Sequence, residues 1–338
     1  MRLIKHHDNP ILIPCPDHEW ESLVTTNPAA WYDEEHGRVM LLYRAAGKDA
    51  QHRVHLGLAT STNGYDFVRT NDLPVLSPLE DGWDSGTVED PRIVKFGEHY
   101  FITYASVPYR PGRYWEVNGS RQLPGDVPPE APVALRENKT RTGLAITKDF
   151  KTIRRVGYLT DPVLDDRDVM IFPEKVGCKF VTLHRPIEWV GEEFGCEQAS
   201  IWIAFSDDLL EHKRPRLLAK PQYPWEMNKI GGAAPPIRTY AGWLTLYHGV
   251  DEKGRYSVGA MLLDLNDPSI VLCRTPEPIM VPEHSYEEEG LYKGICFPCG
   301  NVVIDDTLFV YYGGADQFVG VATCSLTLLL DHLGRFKQ

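Results

Sequence analysis

The tightest constraint on this chain is a pattern that returns five times. A proline opens a short apolar run at Pro28, Pro91, Pro173, Pro235 and Pro298. Three of the four intervals are 62 or 63 residues, and the fourth, at 82, carries an insertion. Each anchor is followed by a second apolar stretch, at residues 39–44, 99–104, 180–185, 243–248 and 308–312. A third stretch then centres on Ala59, Ala145, Ala204, Ala260 or Ala322. A repeated unit of several strands without intervening helices marks a radial array. The expected fold is all-β: a single five-bladed β-propeller spanning residues 1–338, with the insertion at about 107–140 in the second blade. Fourth strands are expected at 74–78, 162–166, 217–221 and 278–282, each rich in the proline that suits an outer strand. The last blade lacks such a segment, and the N-terminus offers one at 10–14 (PILIP). Pairing it with the last blade would close the ring and remove open sheet edges.

Bulk properties narrow the function. A formal charge of −12 argues against nucleic acid, whose phosphates demand a basic surface. No apolar run nears the roughly 20 residues of a membrane span, and no basic-then-apolar leader opens the chain, which favours the cytoplasm. Seven cysteines, an odd number with scattered spacing, suit a reducing compartment. Cys296 and Cys299 form a lone CxxC without a second pair or a histidine at zinc-finger spacing, so no metal site is expected.

In a propeller, residues at matched strand ends face one shared axial cavity although they lie some sixty positions apart. Around the anchors these are Asn27, Glu89, Asp90, Arg92, Glu174, Lys175, Lys229 and Asn301. At the ends of the second strands they are Arg44, His184, Arg185, His248 and Asp316; Arg141 and Tyr256 open third strands. Polar strand ends can simply cap turns, and a turn of fixed geometry would then tend to repeat one residue type. Here matched positions hold Asn, Asp, Glu, His, Arg and Lys, as expected of an asymmetric cavity built from symmetric parts. Asp90 and Asp316 offer proton-donating character, and Arg141, Lys175, Arg185 and His248 could together hold a doubly charged oxyanion.

Six motifs in order at propeller spacing carry a resemblance to a known family. They are Glu89-Asp90-Pro91-Arg92, Phe172-Pro173-Glu174-Lys175, Leu183-His184-Arg185-Pro186, Lys229-Ile230-Gly231 with Pro235-Pro236, Tyr247-His248-Gly249-Val250, and Tyr311-Tyr312-Gly313 with Asp316. The chain resembles glycoside hydrolase family 130, the β-mannoside phosphorylases and related β-mannosidases, across all five repeats. The resemblance implies inverting phosphorolysis of a terminal β-linked mannose to α-mannose 1-phosphate, with inorganic phosphate as co-substrate and no cofactor. It casts Asp90 as the general acid, its proton relayed through the sugar 3-hydroxyl. It assigns phosphate to Arg141, with Lys175, Arg185, His248, Tyr256 and Arg167 completing that pocket. Asn27, Arg44, Glu89, Arg92, His184 and Asp316 would contact the sugar. A homo-oligomer is compatible with the family.

Two rivals stay open. A β-mannosidase would use water and a glutamate base, and Glu188, Glu192, Glu193 and Glu197 follow the His184-Arg185 motif. A propeller can also serve as a non-catalytic interaction platform. The 107–140 insertion reads either as a surface excursion on the rim or as a lid in which Tyr114 or Trp115 selects the acceptor. Linkage and acceptor sugar are not legible.

Overall fold

The computed structural model describes residues 1–116, 122–210 and 215–337. Five antiparallel sheets follow one another along the chain, four of them with four strands and one with five. The second strands fall where the apolar stretches lie: Arg38–Ala46, His99–Ser106, Phe180–Pro186, Trp243–Val250 and Thr307–Gly314. Trp243–Val250 is buried at every position, as a strand covered on both faces must be. The apolar clusters run between neighbouring sheets: Leu246 and Val258 of blade 4, for example, pack with Val310 and Ala322 of blade 5. This is the five-bladed propeller expected.

The ring closes by a different segment from the one anticipated. Ile4–Lys5 pairs with the last strand, Phe318–Ser325, while the PILIP stretch contributes a single bridge, Leu12 to Val319. Other proline-flanked segments behave alike. The fourth strands proper are Val68–Arg69 and Val271–Arg274, and the later prolyl stretches add one bridge each, Leu76 to Leu56 and Met280 to Val258. In blade 2 the fourth strand is Arg154–Tyr158, and Asp166 opens the next blade instead. Of the expected fourth strands only 217–221 overlaps the observed one, Arg216–Ala219. With one partner edge left to satisfy, an outer strand tolerates such interruption. A C-terminal helix, Leu326–Leu333, which the repeat did not foretell, is capped by the Ser325 hydroxyl and buries Leu329, Leu330 and Leu333 against blades 4 and 5.

One device recurs in four blades. A tyrosine of the second strand lies opposite a glycine of the third: Tyr43 and Gly57, Tyr104 and Gly143, Tyr247 and Gly259, Tyr312 and Gly320. A Cβ on Gly57 would stand 2.4 Å from the Tyr43 ring, so only glycine lets the ring lie flat there. An acid just before the first strand meets the tyrosine and a cation of the fourth strand. Glu21 accepts from Tyr43 at 3.0 Å and Arg69 at 2.8 Å, and Asp84 from Tyr104 at 2.8 Å and Arg155 at 2.7 Å. Glu287 accepts from Tyr312 and Lys5, both at 2.7 Å, and in blade 4 Arg274 donates to both Glu226 and Tyr247. Each clip ties inner, middle and outer strands of a blade together. Blade 3 departs from it: His184 stands in the tyrosine's place, opposite Trp202.

Candidate active site

The first strands of blades 1 to 3 each carry a bulge at the same place, and it aims the side chain there inward. Register shifts between Thr26 and Ala29, between Glu89 and Arg92, and between Arg167 and Met170. The bulges put Asn27, Asp90 and Asp168 in the left-handed region, with φ of 44°, 49° and 55°. Such angles are uncommon outside glycine, and Asn and Asp bear them best. Blade 3's matched position is therefore Asp168-Val169, and Pro173 falls four residues later, past the strand's end.

That shift corrects one expectation. Lys175 sits exposed on the turn after the first strand, at the sheet end away from the bulge, with its ammonium 4.1 Å over the Phe180 ring. It takes no part in the cavity, and neither does Glu174, whose exposed carboxylate pairs with Arg238 at 3.1 Å.

The axial cavity has a volume of about 720 Å³ and is lined from all five blades. Of the anticipated residues, Asn27, Arg44, Glu89, Asp90, Arg167, Arg185, Lys229, Tyr256 and Asp316 line it. Four others do not. Arg92 is buried, donating to the Ala233 carbonyl at 2.9 Å, the Asp90 carbonyl at 3.0 Å and Asp168 at 3.2 Å. His184 is turned into its own blade, between Asp166 at 3.0 Å and the Thr182 hydroxyl at 2.7 Å. His248 lies behind the wall, its ring 4.8 Å from that of Phe297, which covers it. Arg141 lies over the Tyr158 ring at 4.6 Å and donates to the Trp83 carbonyl at 3.2 Å, so its guanidinium is held by blade 2's own outer packing.

One side of the cavity is acidic and tightly knit. Asn27 donates to Asp90 at 2.8 Å and to Asp316 at 3.3 Å. Arg44 reaches the same two oxygens at 3.2 Å each and lies 3.5 Å from Glu89. Burial pushes the Asp316 carboxyl up; Arg44 opposes this, and the nearby Asp90 and Glu89 charges add to it. Three carboxylates around one guanidinium leave an excess of negative charge, which favours a proton on the cluster. Asp90 is its most accessible carboxylate, 19% exposed against 12% for Asp316 and 8% for Glu89.

The opposite side, from blades 3 and 4, is cationic. Asp168 is wholly buried between Arg185 at 2.7 Å, Arg92 at 3.2 Å and His248 at 3.6 Å. Burial would raise its carboxyl, yet Arg185, His248 and Arg92 outweigh burial and hold it well below the usual range. Burial lowers His248 to about 3, so the imidazole is neutral. Arg185 gives its Nε and Nη2 to Asp168, while its buried Nη1 has no hydrogen-bond partner among the described residues. Lys229, 5.3 Å over the Tyr256 ring, has no carboxylate partner among them either. Arg167 is gripped by Asp165 through two bonds of 2.6 and 2.7 Å. A guanidinium and an ammonium in one cavity wall, the ammonium without a carboxylate partner among the described residues, form a side suited to an anion.

The insertion borders this cavity as well as the rim. Tyr114, Asn138 and Lys139 line it, while Trp115 packs edge-on against His52 at 4.4 Å. Residues 117–121 of the insertion lie outside those described. Of the four glutamates after the His184-Arg185 motif, Glu188 lines the cavity, bonded by Lys139; Glu192, Glu193 and Glu197 are exposed away from it. Sequence reasoning passed over Asp168 and Lys139 and named Glu188 only as one of four candidate bases. Asp168 could have been found by aligning Arg167-Asp168-Val169 with TNP and EDP rather than trusting the next proline. The two clusters of metal-ligand type among the described residues, His6-His7-Asp8 and Cys15-His18-Glu21, lie outside the cavity, and none of their residues forms its wall. No helix among the described residues is long and apolar enough to cross a membrane.

Comparison with known proteins agrees with this geometry. Residues 7–122 and 133–335 match the glycoside hydrolase family 130 model, described as beta-1,4-mannooligosaccharide phosphorylase. A 1,2-beta-oligomannan phosphorylase of Thermoanaerobacter sp. (strain X514) is 37% identical over 95% of this chain and 97% of its own length. A beta-1,2-mannobiose phosphorylase of Listeria innocua is 34% identical over 82% of this chain and 68% of its own. Among solved structures, the Listeria innocua beta-1,2-mannobiose phosphorylase in complex with beta-1,2-mannobiose superimposes with a TM-score of 0.79 at 27% identity, covering 98% of this chain and 99% of that one. The chain belongs to glycoside hydrolase family 130 and is an enzyme of the phosphorylase type.

Proposed function

We propose that this enzyme phosphorolyses a terminal β-linked mannose with inversion, releasing α-mannose 1-phosphate and a shortened acceptor. The observation that carries the reading is the polarity of one cavity: a crowded carboxylate cluster facing an incomplete cation set. Inorganic phosphate fits the cation side, received by Arg185, Lys229 and Tyr256, with Arg167 beside them. Bound there it is already a nucleophile, so catalysis needs it only aimed at the anomeric carbon. The mannose then lies against Asn27, Arg44, Glu89 and Asp316. Asp90, the most open of the acids, is the general acid, and its proton passes through the sugar 3-hydroxyl to the departing oxygen. Each hop is then of hydrogen-bond length. No cofactor enters this scheme, and a reducing, cytoplasmic setting suits its seven free thiols.

The relatives above 30% identity act on β-1,2-linked mannosides by their names, while those named for β-1,4-mannooligosaccharide and 4-O-mannosyl-glucose are 27% identical. A β-1,2-linked manno-oligosaccharide is therefore the substrate put forward. Incubating the enzyme with β-1,2- and β-1,4-mannobiose, with and without inorganic phosphate, tests linkage and reaction together. Mannose 1-phosphate should form from the β-1,2 isomer, and Asp90→Asn should lower turnover by about a thousandfold, in line with loss of a general acid. Equal sugar release with and without phosphate would overturn the reading. Glu188 supplies the alternative, since a carboxylate in the cavity could activate water, and that outcome would assign it the base of a β-mannosidase.

A further inference from the structure

Asp168 occupies, in blade 3, the bulge position that Asp90 occupies in blade 2, and it reaches the cavity wall with little of its surface left open to a reacting group. Its side chain is 3% exposed, and its ion-pair partners are Arg92, Arg185 and His248. The two cations it holds lead in different directions. Arg185 presents its two bonded nitrogens to Asp168 and is left with Nη1 directed elsewhere, unpaired and on a residue lining the cavity. Arg92 bonds Asp168 with Nη2 and, with Nη1, the backbone carbonyl of Asp90, whose left-handed φ of 49° needs such support. The site is also built around this carboxylate: a Cβ on Gly231 would fall 2.3 Å from Asp168 Oδ2.

We propose that Asp168 is a positioning residue that sets both halves of the active site at once, aiming Arg185 at the phosphate and, through Arg92, fixing the backbone of the general acid. The inference rests on the phosphorolysis reading above. Nε and Nη2 of Arg185 both close on one oxygen, Asp168 Oδ2, at 2.7 Å, while Oδ1 takes Arg92, and a guanidinium gripped along one edge by an anchored carboxylate has its orientation restricted. Losing the carboxylate charge would release that orientation and leave two buried cations facing each other.

The test is a double-mutant cycle on purified enzyme with β-1,2-mannobiose, measuring KM for phosphate, KM for the mannoside and kcat. Asp168→Asn alone should raise the phosphate KM by at least about tenfold and lower kcat, leaving the mannoside KM within about twofold. In an Arg185→Met background, Asp168→Asn should raise the phosphate KM no further, because it acts through that arginine, yet should still lower kcat through Arg92. A general structural defect would instead multiply in both parameters. Asp168→Glu keeps the charge one methylene further out and covers the case in which the Asn variant does not fold; it should show the same selective rise. Wild-type phosphate KM in a folded Asp168 variant, or multiplicative effects on that KM in the cycle, overturn the inference. Wild-type enzyme indifferent to phosphate would instead sink the underlying phosphorolysis reading.

Discussion

Four blades fasten a second-strand tyrosine to a buried acid and a fourth-strand cation, whereas blade 3 puts His184 in the place of the tyrosine and Trp202 in the place of the glycine opposite it. The charged groups of that blade's opening segment are used otherwise. Asp165 and Arg167 pair at the cavity wall, and so do Asp168 and Arg185, more deeply buried. The same pairing of a carboxylate with a cation thus serves two ends. In the clips both charges are spent on each other and on a tyrosine, within the blade. In blade 3 the pairs are unequal: Arg185 keeps a donor in reserve, and Arg167 is a third exposed. The propeller frees one blade from its fastening and gains a binding surface there.

The sharpest way to break this contrast is to remove one cation of each kind. Lys5→Met leaves Glu287, 0% exposed, without its cation in the strand that closes the ring. A buried charge stripped of its partner costs about 3–5 kcal/mol, so thermal or denaturant unfolding should shift markedly while the phosphate KM of the folded enzyme stays put. Arg167→Met should do the reverse. Its pair with Asp165 is partly solvated and worth at most about 1 kcal/mol, but the phosphate KM should rise by about tenfold or more. Should Arg167→Met unfold the protein, or Lys5→Met weaken phosphate, the division of labour is wrong.

A milder break is Tyr104→Phe. The ring stays over Gly143 and only the hydroxyl to Asp84 is lost, leaving that buried acid one donor short. The expected cost is about 1–3 kcal/mol in denaturant midpoint with turnover unchanged. An effect below about 0.3 kcal/mol would mean the clip is held by Arg155 alone.

How much of this was legible in the sequence follows from what each feature depends on. Blade number and second strands were, because a strand covered on both faces must be apolar along its length, and Trp243–Val250 or Thr307–Gly314 read as such. Outer strands were not. Val68–Arg69 is too short to leave a periodic signal, and prolines at 74–78 drew attention to a stretch that supplies one bridge. Within the site, Asp90 and Asn27 were found because a proline follows each. Asp168 has valine there, so the proline ruler slid to Pro173 and brought in Lys175. Arg141 shows a second limit: Tyr256 and Arg141 both begin third strands, but only Tyr256 lines the cavity, because Tyr158 and Trp83 draw the arginine aside.

The smallest expected effect bears on the histidine behind the cation wall. His248 is fully buried and held to about 3 by burial, with Arg185, Lys229 and Arg92 acting in the same direction against the pull of Asp168. An unfolded histidine titrates near 6.5, so between about pH 6.5 and 4 the unfolded chain binds a proton that the folded one refuses. The wild-type enzyme must therefore lose stability as pH falls through that window, by up to about 1.4 kcal/mol per pH unit for this one group. His248→Asn removes the titration while keeping a polar side chain, so its stability should fall less steeply over the same window. Both proteins should be measured in phosphate-free buffer, because a bound anion would stabilise the native state unequally. His55, lowered to about 4 by burial, adds a similar slope but adds it to both proteins, so the difference between the two curves isolates His248. Parallel curves would mean that the imidazole already carries its proton beside Asp168, which would add a fourth positive group to the phosphate side of the cavity.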